Sequence, residues 1–299
     1  MEWRKGRRSD NVVDARGEGG SGGGGGMRFG GGKGLGLGAI LLIVGIGWLT
    51  GQDPLQILGQ LTGQMEQQQQ KTAPSGTGAK APPANDQQAE FVASVLGDTE
   101  DTWKALFAEA GKQYRDPKLV LFSGQVNSAC GFASAAVGPF YCPADQRVYL
   151  DMSFFREMET RFAAAGDFAQ AYVIAHEIGH HVQTLLGVSA KVDAARRNGQ
   201  RMEGDNGLLV RQELQADCLA GVWAYQAQKR LNWLEPGDVE EALNAANAIG
   251  DDRLQQQGRG RVVPDSFTHG TSAQRVRWFK AGFAQGEVNS CDTFSARSL

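Results

Sequence analysis

Three residues in the middle of the chain have the types and spacing of a hydrolytic metal site. His176, Glu177 and His180 form the sequence H-E-x-x-H, in a segment that holds three of the chain's four histidines. Two histidines four positions apart lie about 40° apart around an α-helix, so both imidazoles face one side and suit one tetrahedral Zn²⁺. The glutamate beside them is placed to take a proton from a zinc-activated water as general base.

A catalytic zinc usually takes three protein ligands and leaves one position for water. The extension that supplies a third histidine requires glycine and histidine at two positions where this chain has Gln183 and Leu186. A second apolar helix carries Glu213, well beyond His180, and we expect this glutamate to be the third ligand. Asp217 lies one helical turn further on the same face. We expect it to orient a ligating histidine, with direct ligation as the alternative.

Three segments together resemble the bacterial family of putative neutral zinc metallopeptidases. They read HEIGHH, ELQADCLAG and SACGFASAAVGPFYCPADQRVYLD, and the resemblance covers residues 86–299 together with the N-terminal region. It implies Zn²⁺ at His176, His180 and Glu213, with Glu177 as the catalytic residue. It also implies a peptidase of the glutamate-zincin type, and it does not indicate a substrate.

The fourth histidine, His269, precedes a predicted C-terminal helix. The segment from this histidine to Arg275 resembles the H-P-x-x-x-x-R sequence of membrane-bound zinc peptidases, in which both residues approach the substrate carbonyl, although Gly270 replaces the proline. His269 is therefore a candidate oxyanion stabiliser. The structural alternative is that His269 or Ser272 caps the helix. His181 lies about 100° around the helix from the adjacent ligand and is predicted to be structural or cleft-lining.

The chain has four cysteines and no C-x-x-C spacing, which argues against a zinc finger or a thioredoxin-like site. In an oxidising compartment the four cysteines could form two disulfides, and their pairing is a hypothesis because connectivity cannot be read from the sequence. A Cys130–Cys142 bridge would fix a glycine- and alanine-rich loop, and a Cys218–Cys291 bridge would fix the C-terminal tail to the helix of the third ligand. The alternative is four buried free thiols, and the compartment decides between the two.

Composition divides the chain into four parts. Residues 1–33 are basic and glycine-rich, and are predicted to be a disordered cytoplasmic tail. Residues 34–51 carry no charge and would span roughly 27 Å as a helix, so they are predicted to be an uncleaved transmembrane anchor. A cleaved signal peptide is the alternative. Residues 52–85 are predicted to be a linker rich in Gln, Pro and Ala, and residues 86–299 the metallopeptidase domain.

The globular part of the chain mixes long helical patterns with short strand-like stretches. These patterns predict an α+β fold: a mostly helical, zincin-like domain with a small β-sheet, preceded by one transmembrane helix. Pro236 to Gln257 is predicted to be a single helix. Arg147 to Asp151 alternates as a half-buried strand does, and we expect it to be an edge strand that binds the substrate backbone.

These expectations describe a membrane-anchored, extracytoplasmic zinc metalloendopeptidase, a hydrolase with Glu177 as general base. Its expected partners are a peptide or protein substrate and the inner membrane, which it crosses once with its N-terminus in the cytoplasm. The net charge of -3 and the lack of a long basic stretch in the domain argue against binding of nucleic acid. The alternative, from a different class, is a non-catalytic, zinc-stabilised binding module tethered to the membrane, which would have no use for Glu177.

Overall fold

The computed structural model describes residues 1–17, 80–134, 138–162 and 164–299 of the 299-residue chain. The predicted anchor at residues 34–51 and most of the predicted linker lie outside these ranges. Within them, no helix combines the length and the apolar character that crossing a membrane requires.

The described residues form eight α-helices and six β-strands, which confirms the mixed α+β class. The helices are α1 (Gln87–Glu109), α2 (Ser153–Phe162), α3 (Asp167–Leu185), α4 (Val188–Arg197), α5 (Leu208–Leu231), α6 (Asp238–Ala248), α7 (Asp251–Arg259) and α8 (Ser272–Gln285). The strands are β1 (Val12–Asp14), β2 (Lys118–Phe122), β3 (Gln125–Ser128), β4 (Gly131–Ser134), β5 (Phe140–Cys142) and β6 (Arg147–Asp151).

The main sheet has the strand order β1-β2-β6-β5. The pairs β1–β2 and β2–β6 are parallel, whereas β5 runs antiparallel to β6. Alternate side chains of the two central strands, among them Leu119, Leu121, Val148 and Leu150, belong to the large hydrophobic core that the helices share. Strands β3 and β4 form a separate antiparallel hairpin.

Strand β6 lies inside the sheet, and this corrects the expectation that Arg147–Asp151 is the substrate-binding edge. It pairs with β2 on one side and with β5 on the other, so its backbone groups are already used. Of the two edge strands, β5 contacts helix α3. An alternating pattern identifies a strand with one buried face, but it carries no information about how many strands lie beside it.

Residues 1–17 fold onto the domain, and this corrects the prediction of disorder for that part of residues 1–33. They form one compact unit with residues 80–299. A 3₁₀ turn near Trp3 leads into β1, which extends the main sheet. Trp3 packs edge-on against Phe91 of α1, with 5.6 Å between ring centroids, and Val12 is buried. The glycine run that follows dominates the composition of residues 1–33, so the composition does not indicate that the first 17 residues fold.

The metal-site helix α3 packs against α1, α5 and α6 in the helical core, and α5 packs closely against α8. Two glycines make the close contact between α5 and α8 possible. A Cβ atom on Gly282 would lie 1.9 Å from the carbonyl oxygen of Cys218, and one on Gly221 would lie 2.1 Å from that of Phe279. Because glycine has no Cβ, the two helix backbones touch, and α8 brings its side chains to α5.

Replacing Gly282 by alanine is expected to lower the free energy of unfolding by about 3 kcal/mol, because the added methyl group overlaps backbone of α5 that cannot move aside locally. Denaturant unfolding measures this change. Gly258→Ala in α7, where a Cβ atom meets nothing within 4 Å, is the matched control and should be neutral or slightly stabilising. Equal stability of the two variants would contradict the described α5–α8 contact.

Candidate active site and metal centre

Helix α3 carries His176, Glu177 and His180 at the border of a cavity. The first two side chains are largely buried. Gly179, in the same turn, faces α5: a Cβ atom there would lie 3.0 Å from the carbonyl oxygen of Ala216. The missing side chain lets α5 come close to α3 at this turn, and the approach brings the preceding part of α5 beside the histidines.

Glu213 of α5 reaches both histidines. Its Oε2 lies 3.2 Å from Nε2 of His176, and its Oε1 lies 3.5 Å from Nε2 of His180. One ligand atom from each of the three residues lies within 4.8 Å of the others. Two imidazole nitrogens and one carboxylate oxygen at such separations match the donor set of a catalytic zinc site. The structure thus brings the three expected ligands together.

The two histidines are oriented from behind by hydrogen bonds at Nδ1. That atom of His176 lies 2.8 Å from Oδ1 of Asp217, and that of His180 lies 3.0 Å from Oε1 of Gln183. Because these oxygens accept, Nδ1 donates in both rings when they are neutral, and each Nε2 keeps its lone pair for a metal. Sequence reasoning missed Gln183. Its position three residues after His180 on one helix was the signal that could have identified it.

Asp217 is the centre of a buried hydrogen-bond network. It accepts from the hydroxyl of Tyr172 and from Nε and Nη2 of Arg275, the latter two at 2.9 Å each. Burial alone would raise the pKa of Asp217, but the charge of Arg275 and the contact with His176 lower it to about 2. Asp217 therefore stays ionised at neutral pH and remains an acceptor for the imidazole N–H of His176.

Arg275 borders the cavity, as the resemblance implies, but its guanidinium is already bound to groups of the protein. Its side chain is almost completely buried, and its guanidinium binds Asp217 through two hydrogen bonds and the carbonyl oxygen of Ile249 through a third. These contacts support Asp217, which in turn orients His176. The spacing from His269 placed both residues near the site, but it could not show which groups the guanidinium binds.

The charges of the ligands depend on one another. Burial alone would lower the pKa of His176, but Asp217 and Glu213 raise it to about 10. For Glu213 the signs are reversed. Burial alone would raise its pKa, but the two histidines hold it well below its ordinary value. The carboxylate of Glu213 therefore compensates positive charge at this point, whether a proton or a metal ion supplies it.

The cluster opens into a cavity of about 680 Å³. Glu177 lies on its wall beside the ligands, and His269 borders it from the loop before α8. Strand β5 forms another part of the wall. Apolar side chains complete the lining, among them Pro139, Phe140, Phe154, Val173, Ile249 and Leu254. A polar centre surrounded by apolar walls and an edge strand is a suitable place for an extended peptide.

A single carboxylate fixes the loop that carries His269. Oδ2 of Asp251 accepts the backbone N–H groups of Thr268, His269 and Gly270 at 2.7, 2.6 and 3.0 Å. The imidazole of His269 is half-exposed, and its Nδ1 lies 3.4 Å from Oδ1 of Asp251. Burial by itself would lower the pKa of His269, and Asp251 raises it above its ordinary value. Sequence reasoning missed Asp251, which is far from His269 along the chain.

The helix that follows His269 has its own cap. The hydroxyl of Thr271 accepts the backbone N–H of Gln274 at 3.1 Å, and the backbone N–H of Thr271 donates to Oε1 of Gln274 at 2.8 Å. The hydroxyl of Ser272 instead donates to the carbonyl oxygen of Asn247. The alternative that His269 or Ser272 caps this helix is therefore wrong.

Both expected disulfides are present. Cys130 and Cys142 are bridged with 5.8 Å between their Cα atoms, and Cys218 and Cys291 with 5.5 Å. The alternative of four buried free thiols is wrong. The first bridge ties β5 to the loop after β3, and the second ties the C-terminal tail to α5 next to Asp217.

A second group of carboxylates, Asp167, Asp238 and Glu241, is close enough together to hold a cation. Its members already have partners. The α-amino group of Met1 lies 2.7 Å from Asp167 and 3.3 Å from Asp238, and Glu241 accepts the backbone N–H of Phe168 at 3.0 Å. The donor set, with two imidazole nitrogens beside one carboxylate, favours the histidine site as the metal centre.

The site and comparisons with known proteins define the same class. The chain belongs to the family described as putative neutral zinc metallopeptidase, which matches residues 1–294. It is 51% identical to "Uncharacterized protein YpfJ" of Escherichia coli K12, over 98% of this chain and 99% of that protein. It is also 47% identical to "Uncharacterized protein Rv2575" of Mycobacterium tuberculosis, over 70% and 71% of the two chains. No solved structure matches the chain.

Proposed function

We propose that this protein is a zinc metalloendopeptidase in which His176, His180 and Glu213 hold the metal and Glu177 is the general base. The observation that carries the proposal is the preorganised donor set: one nitrogen from each histidine and one oxygen from Glu213 converge within 4.8 Å. Hydrogen bonds behind the rings leave both Nε2 atoms directed at that point. Peptide hydrolysis also requires a general base beside the metal, and Glu177 lies on the cavity wall next to the ligands.

When bound, Zn²⁺ supplies a Lewis acid that polarises a carbonyl group and makes a water easier to deprotonate. Glu177 follows a ligand directly in α3 and lies on the cavity wall, so its carboxylate can accept the proton of the attacking water. The same carboxyl group can then deliver that proton to the leaving amine. His269 borders the same cavity as a hydrogen-bond donor, and we assign it the stabilisation of the developing oxyanion.

Strand β5 is proposed to bind the substrate backbone. It borders the cavity, and among the described residues it pairs on one side only, with β6. An extended peptide that adds to the free side would form backbone hydrogen bonds without regard to sequence. The apolar walls around Phe140 and Phe154 would then receive its side chains. This arrangement favours a peptide or protein substrate over a small polar molecule.

The two disulfides support an extracytoplasmic location, because such bridges persist in oxidising compartments. The uncharged, apolar stretch at residues 34–51 supports contact with the cell membrane, whether or not it crosses the bilayer. We therefore propose a membrane-associated enzyme whose active site faces the oxidising side.

X-ray absorption at the zinc edge tests the proposed metal site. Protein loaded with one equivalent of zinc should show two imidazole nitrogens, one carboxylate and at least one oxygen that is not from the protein. That open position is required for catalysis. A fourth protein ligand would contradict the proposal and favour the non-catalytic, zinc-stabilised module. Failure to bind zinc stoichiometrically would contradict both.

A further inference from the structure

His181 follows a ligand directly but takes no part in the metal site. It is completely buried, and both ring nitrogens have partners. Nε2 lies 2.7 Å from the carbonyl oxygen of Arg115, and Nδ1 lies 3.0 Å from the hydroxyl of Tyr141. Because a carbonyl oxygen only accepts, Nε2 carries the proton. In the neutral ring, Nδ1 then accepts the hydroxyl hydrogen of Tyr141.

Tyr141 is the central residue of β5 and borders the cavity. The strand is only three residues long, and it is bound to β6 on one side and to Cys130 through Cys142. Tyr141 links the strand to α3 in two ways: its hydroxyl reaches His181 and, from the same helix, Thr184, and its ring packs against the ring of His181 with 5.5 Å between centroids. A short edge strand with few backbone bonds depends on such a side-chain contact for its position.

We propose that His181 is a positioning residue: through Tyr141, it holds the substrate-binding strand β5 at a fixed distance from the metal-binding helix α3. This inference rests on the proposed function, because it assumes that a peptide binds β5. It explains why a third histidine directly follows the H-E-x-x-H sequence: one face of α3 binds the metal, and the adjacent face holds the strand that presents the substrate.

Two substitutions at residue 181 separate the two hydrogen bonds. In His181→Gln the side-chain nitrogen takes the place of Nε2, so the bond to Arg115 is kept and the acceptor for Tyr141 is lost. In His181→Asn the side-chain oxygen takes the place of Nδ1, so the link to Tyr141 is kept. Hydrogen–deuterium exchange of the β5 amides should therefore accelerate about three- to tenfold in His181→Gln and in Tyr141→Phe, but not in His181→Asn.

This exchange measurement does not depend on catalysis, so it separates failure of the inference from failure of the proposed function. If the protein hydrolyses peptides, the same two variants should raise KM about three- to tenfold with kcat changed less than about twofold. In the double variant Tyr141→Phe/His181→Gln the two effects should be less than additive, because both substitutions remove the same hydrogen bond. Unchanged β5 exchange, or additive effects in the double variant, would overturn the inference.

A different observation carries a second inference, on the arrangement of the chain about a membrane. Residues 1–17 are part of the central sheet: β1 pairs in parallel register with β2, from Val12 opposite Leu119 to Asp14 opposite Leu121. Helix α1 has a glycine where this segment crosses it, and a Cβ atom on Gly97 would lie 2.6 Å from the carbonyl oxygen of Arg7. The two surfaces are therefore shaped to each other.

A buried charge also requires the N-terminal segment. Glu100 of α1 is 1% exposed. Its carboxylate accepts from the Ser9 hydroxyl at 2.6 Å, the Asn11 amide at 2.8 Å and Nη2 of Arg7 at 2.7 Å. Without residues 7–11 this buried carboxylate would lose a counter-ion and two hydrogen-bond donors, a change that is strongly destabilising.

Strands in one sheet lie about 4.8 Å apart, whereas a single crossing separates the two flanks of a segment by roughly 30 Å of hydrocarbon. We infer that residues 1–17 and residues 80–299 lie on the same side of the membrane. This pairing is incompatible with the predicted single pass at residues 34–51 with a cytoplasmic N-terminus. Since the domain holds both disulfides, the oxidising side is expected for both parts.

Labelling with a membrane-impermeant maleimide tests this arrangement in intact cells that express the full chain. Asp10→Cys introduces a thiol on the exposed part of the N-terminal segment, and Lys112→Cys is the matched exposed site on the domain. The two thiols should respond alike, either both before permeabilisation or both only after it. Labelling of Lys112→Cys before permeabilisation and of Asp10→Cys only afterwards would overturn the inference.

Discussion

Replacing Glu177 by glutamine is expected to lower kcat/KM for peptide hydrolysis by about 10²- to 10⁴-fold, the usual contribution of a general base. Zinc content should not change, because the substitution keeps the shape of the side chain and the proposed ligands are untouched. Initial rates on a peptide selected from a library digest, together with metal analysis of the same samples, measure both quantities.

The matched control for this variant is Glu109→Gln, the same chemical change at an exposed position at the end of α1. It should keep the wild-type rate. Equal activity of Glu177→Gln and Glu109→Gln, with zinc bound in both, would show that another group acts as the base.

Loss of the proposed third ligand is expected to have the other large effect. Glu213→Ala removes the carboxylate that lies 3.2 Å and 3.5 Å from the two Nε2 atoms, and with it a charge that compensates the cation. Zinc affinity should fall further than the roughly 10- to 100-fold that loss of an orienting group costs. Competition with a chromophoric chelator measures the zinc dissociation constant.

Asp217→Asn is the comparison variant, because Asp217 orients His176 instead of facing the metal. It should weaken zinc binding within the 10- to 100-fold range and also destabilise the fold, since Arg275 would keep a buried charge without its partner. An Asp217→Asn variant that loses more zinc affinity than Glu213→Ala would mean that the roles of the two carboxylates are exchanged.

The metal helix and its ligands could be predicted from the sequence because the information is local. The spacing of His176 and His180 fixes their common face, and the apolar residues around Glu213 indicate that its helix is buried. The orienting group Asp217 follows from the same periodicity. The bond from Gln183 to His180 was within reach of this reasoning, but the residue was used only to exclude another ligand pattern.

Contacts that join distant parts of the chain could not be predicted in this way. Docking of residues 1–17 depends on the shape of α1 at Gly97 and on the buried charge of Glu100, and neither is visible in the composition of the N-terminal region. The helix expected from Pro236 to Gln257 is divided into α6 and α7 at Gly250, where a Cβ atom would lie 2.4 Å from the backbone nitrogen of Ser272. The cause of that break is the approach of a later segment.

The most direct test of the central claim is a comparison of new protein termini. Zinc-loaded wild-type protein and zinc-loaded Glu177→Gln are incubated separately with a mixture of denatured bacterial proteins, and the termini produced are identified by mass spectrometry. The account predicts new termini with the wild type that are missing with Glu177→Gln and that disappear when a chelator is added. The same set of termini with both proteins, or none with either despite bound zinc, would contradict it.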